Sequence, residues 1–222
     1  MGEPLPPWDG DVAAARALQA ALATRVLLRD GFSRQLRTVA GCAIHSGPES
    51  ATVHAKVVVV DVDTLQPVGQ GTSSAPAAMP YVPGLLSFRE LPALLAAFSQ
   101  LSQSPDLLLV AGNGIAHPCR FGLAAHLGVA TGLPSIGVAR SILTGASATP
   151  LHEMRGAFVP LRQGREQIGW LLRSRIGSDP LVVSPGHRVA MASTAELVMR
   201  FVTGARLPEP LRLAAADDAR DE

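Results

Sequence analysis

The chain has 222 residues and 47% hydrophobic content, enough for one large domain with a substantial core. Its 19 Lys and Arg stand against 18 Asp and Glu, so no global basic excess announces a nucleic-acid partner, although a local groove can be basic on a neutral protein. Cys42 and Cys119, the only cysteines, exclude a disulfide framework and lack zinc spacing; a reduced cytoplasmic setting suits them, and neither a signal peptide nor a membrane span is expected.

A helix is predicted from Asp11 to about Arg29, with Val12, Ala15, Leu18, Leu22 and Val26 near one face and Asp9 or Asp11 as its cap. Strands follow at Leu36–Ile44, Val53–Val60 and Val68–Thr72, read as an antiparallel meander whose first turn is Gly47-Pro48. Next come a helix at "PALLAAFSQL", a buried strand at Leu107–Val110, a helix at "GLAAHLGVATG" and a strand at "PSIGVAR". Strands at Gln167–Ser174 and Leu181–Ser184 precede the helix "STAELVMRFVTG", with Ser193 or Thr194 as its cap. The tail from Leu207, rich in proline, alanine and charge, is expected to fray, leaving a single domain over 1–206. This order describes an α/β mixed sheet covered on both faces. An RNase H-like architecture has it, and other α/β folds share the pattern.

Three stretches could carry chemistry. In "PYVPGLLSFRELP", Pro80 and Pro83 stiffen the backbone around Tyr81 and Val82, while Gly84 lets another group approach closely. Such a turn can enter a base stack, or it can be a proline-rich loop whose tyrosine packs. Glu90 follows near the helix start, where an acid also complements the helix dipole. In "GNGIAHPCRFG", the glycines after a strand can set backbone N–H groups against a phosphate or a base edge. His126, among apolar helical neighbours, reads as a packed side chain. His187 and Arg188, just beyond a strand, read equally as a phosphate-side or metal-side pair and as a polar turn.

Taken together these stretches resemble the endonuclease V family, the deoxyinosine-directed repair nucleases. The resemblance runs from about Val39 to Val198 through "VAG", "PYVPGLLSFRELP", "GNGIAHP", "FGLAAHLGV", "PSIGVA" and "GHR". It implies an RNase H-like fold and hydrolysis dependent on Mg2+, with Mn2+ as an alternative, at the second phosphodiester bond 3′ to deoxyinosine in DNA or inosine in RNA. It also implies a monomer. Carried over by position, Pro80, Tyr81, Val82 and Pro83 resemble the strand-separating wedge. Gly84 and Leu86 would present backbone groups to the extruded hypoxanthine, with Gly112, Gly114, His117 and Gly122 lining its pocket.

The metal set departs from the family pattern. Ala43 and Ala111 stand where the family has aspartates, which leaves Glu90 as the one principal carboxylate; Arg140 replaces a lysine and Cys119 an arginine. The expectation is therefore a protein that recognises inosine-bearing strands with hydrolysis severely impaired or absent. Glu90, Arg140 and His187 are the catalytic candidates that the resemblance implies, and two alternatives stand beside this reading: an active divergent nuclease using Glu90 and His187 with other ligands, and a non-catalytic interaction or regulatory module.

Overall fold

The computed structural model describes residues 9–216 apart from positions 34 and 48, so the Pro48 half of the predicted first turn lies outside the described residues. Helix α1 (Val12–Ala23) is capped by Asp11, whose carboxylate accepts from the Ala13 and Ala14 N–H groups. It stops short of the predicted Arg29; beyond it Leu27 and Leu28 find no core to cover and remain exposed. The meander is β1 (Thr38–His45), β2 (Thr52–Asp61) and β3 (Pro67–Pro76). Helix α2 (Leu86–Phe98) begins within the "LLSFRE" segment, ahead of the predicted start, and carries Pro92 inside it. Glu90 is therefore in its second turn rather than at its entrance. Then come β4 (Leu107–Ala111), α3 (Leu123–Thr131), which closes on Gly132 in the left-handed conformation, and β5 (Ser135–Ala139).

The second half holds β6 (Phe158–Gln163), β7 (Glu166–Leu172), β8 (Leu181–His187), α4 (Met191–Arg200) and α5 (Glu209–Ala214). Three expectations are corrected here. Strand β6 was not predicted: Pro160 interrupts its run, and a proline is tolerated there because the strand is at the sheet edge. Helix α4 is capped at Ala190, with the Thr194 hydroxyl donating back to the Ala190 carbonyl and the Ser193 hydroxyl donating to Asp30, so both predicted caps lie inside the first turn. The segment from Leu207 is ordered as far as position 216, where the described residues end. It forms α5, whose Pro210, Leu211 and Ala214 are buried.

Among the described residues the strands make one mixed sheet in the order β3-β2-β1-β4-β5-β8-β7-β6. Strands β1, β4 and β5 are mutually parallel, and every other ladder is antiparallel. Strand alternation divides the core in two. Ala40, Cys42, Leu108 and Val110 pack with Leu91 and Leu94 of α2 and Leu127 of α3. Val39, Ala43, Leu107 and Leu109 pack with Val198 of α4 and with Leu211 and Ala214 of α5. Gly41 makes the second contact possible, since a Cβ there would lie 2.0 Å from the Pro210 carbonyl oxygen. The parallel strands end together at Ala111 and Ala139, the edge of an α/β sheet where ligands usually bind.

Candidate functional site

At that edge the chain turns from β4 into the glycine-rich segment. The Cys42–Val110 pairing in the parallel ladder sets Ala43 and Ala111 as the next neighbours, on one face of the sheet. The predicted presentation of glycine N–H groups to a ligand is corrected. Gly112 N donates to the Val138 carbonyl, Gly114 N to Ser184 Oγ and Gly122 N to the Gly114 carbonyl. These glycines serve close packing instead. A Cβ on Gly114 would fall 2.1 Å from the Pro185 carbonyl oxygen, and one on Gly122 would fall 2.3 Å from that of Asn113.

Opposite this floor stands the proline turn. Leu85 N donates to the Val82 carbonyl, with Pro83 and Gly84 as the two central residues and Gly84 at φ +83°, the requirement of a type II turn. Helix α1 holds it in place: Gln19 Nε2 donates to the Gly84 carbonyl at 2.7 Å, and Arg16 Nη2 reaches the Pro83 carbonyl at 3.5 Å. Tyr81 is 47% exposed, while Val82 packs against Met79, Leu85 and Phe88. Between turn and floor lies a cavity of about 520 Å³, inside the usual range of ~300–1,000 Å³ for a small-molecule site. Of the predicted residues, Tyr81, Pro83, Gly84, Leu86, Glu90, Gly112, His117 and Gly122 line it, together with Ala111 and Cys119. Pro80, Val82 and Gly114 are not in the lining.

Burial sets the electrostatics. It pushes the Glu90 carboxyl up to about 7, against a smaller opposing pull from the Arg89 guanidinium. His117 is held below the ordinary histidine value by burial and by Arg120. Its Nδ1 accepts from Cys119 N at 3.2 Å, which puts the proton of the neutral ring on Nε2 and makes that atom a donor. Arg120 fixes this loop: it donates to the His117 carbonyl at 2.9 Å and pairs with Glu166 of β7 at 2.7 Å.

The structure separates His187 from the rest. It pairs with Ser135, at the end of β5 remote from the Ala111–Val138 pair, and its Nδ1 accepts from Leu27 N at 3.3 Å. A catalytic role beside Glu90 is therefore corrected: β8 runs antiparallel to β5 and carries His187 to the opposite edge of the sheet. Arg140 does follow β5 at the correct edge but is outside the cavity lining. Ala43 is buried in the apolar cluster facing α5, with its antiparallel partner Lys56 on the same side of the sheet.

These residues do not fit a hard divalent cation, which needs several oxygen ligands. The Ala43 and Ala111 methyls supply none, and among the described residues no group of three or more His, Cys, Asp or Glu is placed to hold a metal ion.

Sequence reasoning missed Gln19, Arg16, Ser87 and Asn113. Gln19 carried a readable signal: it falls four residues after Ala15 and three before Leu22, a polar residue on the apolar face of α1, and it is 1% exposed. Asn113 and Ser87 reach the cavity through turn and helix geometry that spacing alone does not reveal.

The pattern of the family described as Endonuclease V matches residues 20–216. The endonuclease V of Xanthomonas campestris pv. campestris is 52% identical, over 93% of this chain and 87% of that protein. The crystal structure of the endonuclease V from Streptomyces avermitilis superposes with a TM-score of 0.89 at 38% identity, covering 99% of this chain and 97% of that one. The endonuclease V of Ciona intestinalis, solved in complex with a 24mer DNA containing an inosine followed by a ribo-adenosine, shares the fold with a TM-score of 0.73 at 24% identity over 94% and 96% of the two chains. The RNase H-like architecture is thus that of its structural neighbours, and the chain belongs to the endonuclease V family.

Proposed function

We propose that this protein binds DNA or RNA strands bearing deoxyinosine or inosine, holding the extruded hypoxanthine in the cavity between the proline turn and β4, with hydrolysis lost or severely impaired. One observation carries this reading: the cavity keeps Tyr81, Gly84, Leu86 and His117 in its walls, while its floor at Ala111 is a methyl group. Binding a flipped base needs a pocket with a few fixed polar groups, and the cavity with His117 in its wall supports this reading. Hydrolysis in the family needs a metal to align water and stabilise the charge that develops at phosphorus, and this donor set does not suit one. Losing one member of a cooperative catalytic set costs on the order of a thousandfold or more, and a second loss then removes little that is left.

The remaining parts of the reading are a monomer acting in a reducing cytoplasm. Cys42 and Cys119 are both free thiols, which suits that compartment. Among the described residues no helix is long and apolar enough to cross a membrane.

Fluorescence anisotropy with matched oligonucleotides tests the binding. A strand with a single deoxyinosine is expected to bind at least about tenfold tighter than the same strand with deoxyadenosine, the scale of one or two additional hydrogen bonds. Equal affinities would overturn the proposal.

A further inference from the structure

Ser87, one turn before Glu90 on α2, lines the cavity and is 5% exposed. Its Oγ lies 3.1 Å from Nδ1 of His126, which α3 brings from the opposite side. His126 is itself 1% exposed, with the rings of Phe88 and Phe121 at centroid distances of 4.6 and 4.8 Å. Its Nε2 is buried with no hydrogen-bond partner. Burial lowers its pKa to about 3, so at neutral pH the ring carries a single proton.

Where that proton sits decides what Ser87 can do. On Nε2 it would be an orphaned N–H among apolar neighbours, the costlier kind of unsatisfied group. On Nδ1 it is donated to Ser87 Oγ, and Nε2 keeps only a bare lone pair. The serine hydroxyl then cannot give its own hydrogen to His126. A serine in a helix commonly returns it to the carbonyl three or four residues earlier. Here those carbonyls belong to Gly84 and Pro83, which are bonded to Gln19 Nε2 and Arg16 Nη2, and Ser87 Oγ makes no hydrogen bond to either. Among the described residues Ser87 Oγ has no other hydrogen-bond partner, and the space left to its hydrogen is the cavity.

We infer that Ser87, turned by His126, is a specificity-determining donor that meets the C6 carbonyl of an oxopurine held in the cavity. Adenine presents an amino group at the same carbon, so a fixed donor faces a donor and the base is disfavoured. His126 is the positioning residue. This rests on the cavity being the base pocket proposed above.

The test compares affinities for strands carrying deoxyinosine, whose base has a C6 carbonyl and an N1–H, and purine 2′-deoxyriboside, whose base has a C6–H and a bare N1, and includes a deoxyadenosine control. The parent protein is expected to favour deoxyinosine over the purine riboside by about threefold to tenfold, the worth of one neutral hydrogen bond. Ser87→Ala should lower that ratio by about threefold to tenfold, the share of the bond to the C6 oxygen, and Ser87→Thr, which keeps the hydroxyl, should retain it. A parent with no preference for deoxyinosine over deoxyadenosine would remove the base-pocket reading itself. A parent with the preference and an unchanged ratio in Ser87→Ala would remove the role of Ser87 alone. Nitrogen NMR of histidine-labelled parent protein checks the orientation without any variant: the proton on Nδ1 of His126 supports it, and the proton on Nε2 overturns it.

Discussion

Glu90 is a carboxyl group kept in a poorly solvated wall with a neutral methyl group at Ala111 across from it. Its pKa rises from 4.5 to about 7 on folding, so the native state binds the extra proton between those values. The stability that this proton binding confers is complete below the unfolded value and is lost as pH rises through the folded one. Glu90→Gln is therefore expected to match the parent near pH 4 and to exceed it by up to about 3 kcal/mol near pH 8. Chemical denaturation at the two pH values reads this directly; equal stability differences at both would contradict it. At this scale the sequence was uneven. The proline turn and His117 stood out because prolines, glycines and an aromatic cluster within a few residues. Ser87 and Asn113 did not, since a serine in a helical run and an asparagine between glycines have commoner explanations. His187 misled because a polar residue after an apolar run looks the same at either end of a sheet, and only strand direction tells which edge it occupies.

Helix α5 is the element that sequence reasoning read least well. Its proline-flanked, alanine-rich run has few large apolar residues, and its stability comes from contact with β1 rather than from its own propensity. Gly41 is where the two backbones meet. Gly41→Ala would put a methyl against the Pro210 carbonyl and is expected to cost about 1–3 kcal/mol, the usual penalty of overpacking. Thermal or urea unfolding gives the value, and an unaltered midpoint would mean that α5 yields freely. Most of the other elements were legible. The β-branched run of β2, the buried run of β4 and the glycine stop of α3 each satisfy a single local rule that the tertiary structure leaves in place. Strand β6 was not legible, because its buried face is only Val159 and Leu161 with Pro160 between them, and its pairing with β7 across a hairpin completes it.

Across the whole molecule, charge near neutrality coexists with a site whose polarity is local. Arg16 lines the cavity, and Arg120 braces the loop that carries His117. In the proposed function the proline turn and the cavity act together in recognition, and the neighbouring methyls of Ala43 and Ala111 account for the loss of cutting. The most direct test of that separation is a deoxyinosine-containing strand incubated with the protein and Mg2+, divided between a native gel for binding and a denaturing gel for cleavage. The expected result is a shifted band on the first and an intact strand on the second. A product cut 3′ of the deoxyinosine, absent when Glu90→Ala is used, would contradict it and would mean that hydrolysis survives without Asp at positions 43 and 111.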